Sequence, residues 1–281
     1  MTSKPKIGIM QGRLSKMFEN RIQAFPFNSW KEEFRNADGL GFESIEWIFD
    51  EIQPNPISSD DGVLEISQLS KNFNISINSI CADYFMTKKL FNESKIDLEK
   101  NLETLKKLIL QANKLEISMI EIPLVDSSSL KSENNKKEIL ENLDKVIDFA
   151  ENNGVTIVLE TDLNPYDFNK FLEEFNHPGI MANYDSGNST SLGYDPKEEL
   201  IQLSKWIKNV HVKDRKFKGT TVPLGTGDTN FELFFSTLAE INYSGDLIIQ
   251  GARISENEKN PNETCKIYLD FVKSYVDKYF D

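Results

Sequence analysis

The chain has 281 residues, 39% of them hydrophobic and 27% charged, and carries a formal net charge of −13. That is the composition of an ordinary globular protein, and no stretch approaches the unbroken apolar run that a membrane span needs. The acidic balance excludes nucleic acid, whose phosphates are gripped by clustered Lys and Arg, and an anionic membrane surface as well, so a small molecule is the expected partner.

The polar start, Met1 to Lys6, leads straight into Ile7-Gly8-Ile9-Met10 without the apolar core of a signal peptide, so a cytoplasmic location is expected. Short apolar runs follow at regular spacing: 6-KIGIMQ-11, 43-ESIEWI-48, 75-ISINSI-80, 117-ISMIEI-122, 155-VTIVLE-160, 180-IMANYD-185, 208-KNVHVK-213 and 246-DLIIQG-251. Several are apolar without a break, as parallel strands covered on both faces are. Helical patterns lie between them. In 97–115, Leu98, Leu102, Leu105 and Leu108 recur at helical spacing, and the pattern over 137–153 stops at Gly154. Eight strand–helix units and no linker predict a single (β/α)8 TIM barrel spanning 1–281. The alternative, an open doubly wound sheet, lacks a GxGxxG after its first strand. Two cysteines, Cys81 and Cys265, give neither a disulfide framework nor a CxxC motif, and Cys81 reads as a small buried hydrophobe.

A barrel of this kind carries its active site at the C-terminal ends of its strands. The polar residues there are Gln11 and Arg13, Glu46, Asp83, Glu121, Glu160 and Asp162, Asp185 and Asn188, His211 with Lys213 to Arg215, and Gln250 with Arg253. Glu160 ends a run too apolar to be anything but buried, and a buried carboxylate needs a cation or strong hydrogen bonds. Asp185 and His211 fall at the same level on the next two strands. Together the three form a plausible hard-to-borderline metal site; the alternative is a metal-free Glu–His–Asp cluster. The other histidine, His177, precedes Pro178-Gly179 and belongs to the opposite end of the barrel. Trp47 and Tyr84 are either core residues or apolar walls of the pocket. Three of the five arginines, Arg13, Arg215 and Arg253, follow predicted strands, which points to recognition of a phosphate or carboxylate. The alternative is pairing with Asp83, Asp162 or Asp214 around the mouth.

The segments Ile7-Gly8-Ile9-Met10-Gln11-Gly12-Arg13, Val158-Leu159-Glu160, Asn183-Tyr184-Asp185, Asn209-Val210-His211-Val212-Lys213-Asp214-Arg215, Val222-Pro223-Leu224-Gly225-Thr226-Gly227 and Ile248-Ile249-Gln250 follow one another in that order. In this order they resemble the xylose-isomerase-like TIM-barrel superfamily of sugar and sugar-phosphate isomerases and epimerases. The resemblance implies a metal held by Glu160, Asp185 and His211, with Gln250 where keto-sugar epimerases of that superfamily carry a second glutamate, and Asn188 where many carry a substrate-contacting histidine. An amide oxygen can bind a metal, but an amide cannot take a proton as a carboxylate does. The expected activity is therefore a metal-dependent isomerase or epimerase of a phosphorylated or acidic sugar. It would work through an enediolate with Glu160 as acid and base and Gln250 beside it. Arg13, Glu46, Asp83, Asn188, Lys213, Asp214, Arg215 and Arg253 would contact the substrate. A keto-sugar dehydratase in the same barrel, or a sugar-binding barrel that lost its second base at Gln250, are the alternatives. A mixed carboxylate, amide and imidazole set suits one Mn2+, with Mg2+ or Co2+ as substitutes. Homo-oligomer formation is left open.

Overall fold

The structure is a computed structural model that describes residues 4–18, 21–253 and 260–280. Eight strands, β1 (Ile7–Met10), β2 (Ser44–Ile48), β3 (Ser79–Cys81), β4 (Met119–Leu124), β5 (Thr156–Thr161), β6 (Ile180–Asp185), β7 (Ile207–Val212) and β8 (Leu247–Ile249), close into one barrel in sequence order. Every pairing is parallel, including β1 with β8. The expected (β/α)8 barrel is therefore the fold. Because helices cover the outside and side chains fill the inside, the strands are buried on both faces, which is why they read as Ile- and Val-rich runs.

The helices are α1 (Trp30–Leu40), α2 (Asp60–Phe73), α3 (Tyr84–Thr87), α4 (Lys95–Lys114), α5 (Glu133–Asn152), α6 (Pro165–Phe175), α7 (Ser186–Leu192), α8 (Pro196–Leu203), α9 (Phe231–Glu240) and α10 (Pro261–Tyr279). Eight of them are the expected crossovers, while α3 and α7 are short extra turns directly after β3 and β6. Neither has an apolar period long enough to be seen, yet α7 carries terminal signals. Asp185 Oδ1 accepts from the N–H groups of Gly187 and Asn188, and Gly193 closes the other end at φ +83°.

The strand expected over 75–80 begins later, at Ser79. Its first half instead ties off the N-terminal end of the barrel, where Asn78 Nδ2 and Ser44 Oγ both donate to Asp246 Oδ2 at 2.7 and 2.9 Å. Trp47 is a core residue. It packs against Phe25 and Trp30, and its indole N–H donates to Asn55 Oδ1 at 3.1 Å. Tyr84 is likewise packed, between Phe49 and Phe85. Both expected free thiols, Cys81 and Cys265, are buried and unpaired. No helix among the described residues is long and apolar enough to cross a membrane.

Candidate active site and metal centre

The strand register decides what meets inside the barrel. Asp185 stands directly opposite His211 across β6 and β7, and Glu121 opposite Cys81 across β3 and β4. His211 is completely buried, and its two ring nitrogens face different carboxylate pairs. On one side Nε2 lies 2.7 Å from Glu46 Oε2 and 3.3 Å from Glu121 Oε2. On the other, Nδ1 lies 3.6 Å from Glu160 Oε2 and 3.9 Å from Asp185 Oδ2. Glu46 is itself fixed, because its Oε1 accepts from Ser79 Oγ at 2.7 Å and Asn209 Nδ2 at 2.8 Å. A carboxylate on Nε2 sets the ring orientation and leaves Nδ1 as the ligand atom, the arrangement that metal-binding histidines generally use.

Glu160, Asp185 and His211 offer ligand atoms within 4.8 Å of one another, close enough to share one ion. Asp185 divides its oxygens: Oδ1 caps α7, and Oδ2 faces Nδ1 of His211. A fourth candidate donor, Gln250 Oε1, is buried and has no hydrogen-bond partner, so it is open to a cation or to another donor. Two carboxylates, an imidazole and an amide oxygen fit a divalent metal of the hard-to-borderline kind. Burial first, then the Asp185 and Glu121 charges, push the Glu160 carboxyl well above its usual range. Burial alone would lower the His211 pKa, but Glu121 and Glu46 outweigh it and raise it well above 6.5.

Glu160 opens onto a cavity of about 780 Å³ whose wall also includes Arg13, Gln23, Asp83, Lys213 and Gln250. Asn188 and Arg215 also line it and form a bridge with Lys213. Asn188 Nδ2 donates to Glu160 Oε1, while its Oδ1 accepts from Lys213 Nζ at 3.2 Å and Arg215 Nη1 at 2.9 Å. Lys213 Nζ also reaches Asp185 Oδ2 at 3.2 Å. It passes so close over α7 that a Cβ on Gly187 would lie 2.7 Å from Lys213 Cγ.

The other expected contacts divide between the cavity wall and the structure around it. Arg253 is not among the cavity-lining residues; its guanidinium donates to the carbonyls of Ile22, Ser15 and Gly12 and braces the β1–α1 loop. Arg13 reaches the cavity wall, but its Nε and Nη1 also hold carbonyls, of Gly251 and Ile22. Asp214 is buried under the loop after β7, where its carboxylate accepts from the N–H groups of Gly225, Gly227 and Thr229. Asp83 lies in the wall with its pKa pushed up to about 6, mainly by burial. Glu46 sits behind His211 rather than in the cavity lining. His177 lies at the far end of the barrel, before β6, beside Asp148 and Glu151. Two residues went unsuspected as site members: Asn183, whose amide lies between Glu121, Glu160 and His211, and Gln23, from a loop without periodicity. Only the polar Asn inside an otherwise apolar strand could have signalled the first.

Comparison with known proteins agrees with this fold. The sequence profile of the family described as xylose isomerase-like TIM barrel matches residues 34–273. An L-ribulose-5-phosphate 3-epimerase from Salmonella paratyphi A is 27% identical over 261 residues, covering 89% of this chain and 90% of that protein. Among solved structures, D-psicose 3-epimerase from Clostridium cellulolyticum H10, crystallised with D-tagatose, superposes with a TM-score of 0.77 at 17% identity, over 96% of this chain and 99% of its own. The IOLI protein with a bound zinc atom superposes with a TM-score of 0.80 at 18% identity, over 98% and 99% of the two chains.

Proposed function

The chain belongs to the xylose isomerase-like TIM-barrel family and is a sugar isomerase or epimerase, and from that premise we propose that it moves a proton at the carbon beside the carbonyl of a phosphorylated keto-sugar. Glu160, Asp185, His211 and Gln250 would hold one divalent cation, Mn2+ on the chemistry of the donors. The observation that carries the reading is Glu160, a buried carboxyl that shares one ion's reach with Asp185 and His211 and also stands on the wall of the cavity. Such a group is tuned to take a proton and return it. The cation, when bound, supplies positive charge to the sugar's carbonyl and hydroxyl oxygens as the carbon loses its proton. Asn188 holds Glu160 at one oxygen, and Lys213 and Arg215 add positive charge at the same rim.

The amide of Gln250 cannot take up or give off a proton as a carboxyl does, which favours a one-base aldose–ketose isomerisation by Glu160. A second reading, inversion at C3, is favoured by the epimerase relatives and would draw its second proton from Asp83, the other wall carboxyl with a raised pKa. Incubation with Mn2+ and ketose phosphates, L-ribulose 5-phosphate among them, in D2O tests both by NMR. The expected result is an aldose phosphate carrying a single solvent deuteron on C2, the former carbonyl carbon. Inversion at C3 selects the second reading, and no exchange in metal-loaded protein sinks both.

Charge selectivity is expected to follow the cavity wall. Arg215→Ala should weaken phosphorylated sugars by roughly 1.5–3 kcal/mol, about ten- to a hundredfold, and neutral ones little. Arg253→Ala, which removes a loop brace, should change both alike. Calorimetric titration with a sugar and its phosphate decides this, and equal losses in the Arg215 variant would refute an anion contact there.

A further inference from the structure

An amide has an accepting end and a donating end, and its hydrogen bonds decide which one a cation would meet. For Gln250 those bonds form a chain that begins at Arg13. Arg13 can only donate. Its Nε and Nη1 are taken by the carbonyls of Gly251 and Ile22, and its Nη2 lies 3.2 Å from the side chain of Gln23. Gln23 must therefore turn its Oε1 toward Arg13, and its Nε2 then reaches Asp83 Oδ2 at 2.8 Å. Gln250 meets that same Gln23 oxygen at 2.8 Å, so it has to present Nε2 there. Its own Oε1 is left pointing away from Gln23, buried and without a hydrogen-bond partner. Both amide orientations follow from the one group in the chain that has no acceptor.

We infer that Arg13 and Gln23 act as an orientation lock, positioning residues that fix the Gln250 amide with its oxygen offered as an acceptor to the metal centre. This rests on the reading above, in which Gln250 is a metal ligand. The lock makes a neutral side chain a dependable oxygen donor. With Gln23 gone, the Gln250 amide could rotate and offer N–H groups to a cation, which repel it. It also makes residue 250 specific for an amide. A carboxylate there would set an oxygen against Gln23 Oε1, and Gln23 cannot turn over without facing Arg13 with its own N–H groups. The β1–α1 loop, which carries Gln23 and is clamped by Arg13 and Arg253, thus becomes part of the metal site without supplying a ligand.

The test is Mn2+ alone, titrated by calorimetry into the full chain as the parent, Gln23→Leu, Gln250→Leu and the double variant. Gln23 is a half-buried loop residue, and Gln23→Asn, too short to span the same partners, serves as a second variant if the leucine disturbs folding. The expected result is that Gln23→Leu weakens Mn2+ on the order of tenfold although no ligand is removed, as loss of a group that orients a ligand generally does. Gln250→Leu should weaken it at least as much, and the double variant no further than Gln250→Leu. A normal Mn2+ affinity in Gln23→Leu and Gln23→Asn beside a weakened Gln250→Leu would overturn the lock and leave Gln250 a ligand. Losses that multiply in the double variant would also overturn it, because they mark a general structural effect of the loop. Unchanged affinity in Gln250→Leu would overturn the ligand assignment itself, and the lock with it.

Discussion

Replacing Glu160 by glutamine is expected to lower kcat by roughly a hundred- to ten-thousandfold, the usual contribution of a positioned acid–base group, while the barrel stays folded. Both carboxylate oxygens of Glu160 accept hydrogen bonds, from Asn188 Nδ2 and from Asn183 Nδ2, whereas an amide has one oxygen to offer. One of the two asparagines must yield. Asn188 cannot, because its Oδ1 is held by Lys213 and Arg215, which only donate. Asn183 can, because its Oδ1 is buried without a partner and is free to accept from the new N–H group when the amide turns over. The local cost is then the 3.3 Å contact of Asn183 with Glu121 and its 3.1 Å contact with His211 Nδ1. The substitution removes the proton carrier, and because its one oxygen stays with Asn188 it sets an N–H group where Oε2 faced His211 Nδ1, so Mn2+ is expected to bind more weakly as well. Steady-state rates at saturating Mn2+, with a melting curve as the control for folding, measure the effect. Turnover within tenfold of the parent would show that another group moves the proton.

The legibility of this site in the sequence follows the physics of each part. Glu160 was readable because a carboxylate at the end of Val155–Leu159 has to be buried, and the chain is poor enough in histidine for His211 to stand out. A one-residue shift in the β6–β7 register, between Ala182 and Asn183, then brings Asp185 opposite His211, a detail of pairing that strand ends alone do not give. The arginines were less transparent. Three of them follow strands, but a guanidinium at a loop can hold a ligand or the loop's own carbonyls; Arg215 and Arg253 both donate to backbone oxygens, and only the folded structure puts Arg215 on the cavity wall and Arg253 off it. Asp214 is the same lesson in reverse sign: its carboxylate gathers three N–H groups of the glycine-rich turn beyond it. Gln23 left no trace, because hydrogen bonds made by a loop depend on tertiary closure and have no period.

Removing the His211 ring is expected to damage the fold more than the loss of one ligand implies. The ring lies between Glu46 and Glu121 on one side and Glu160 and Asp185 on the other, all buried. His211→Ala leaves Glu46 with only Ser79 and Asn209, and leaves Glu121 Oε2, which already lacks a hydrogen-bond partner, without a neighbouring cation. Stripping one partner from a buried pair costs about 3–5 kcal/mol, because the remaining charge is stranded. At about 2–4 °C per kcal/mol for a domain of this size, the melting midpoint should fall by roughly 6–20 °C. The sign of the pH dependence is fixed by the raised imidazole pKa. A group whose folded pKa is raised contributes fully below its unfolded value, here 6.5, and loses that contribution as pH rises through the folded value. In metal-free protein the gap between parent and variant, measured by urea unfolding, is therefore widest at about pH 6 and narrows toward alkaline pH. Adding Glu46→Gln to His211→Ala removes one stranded charge and should recover part of the loss. If His211→Ala instead melts with the parent at every pH, the four carboxylates do not depend on the ring, and His211 serves the metal alone.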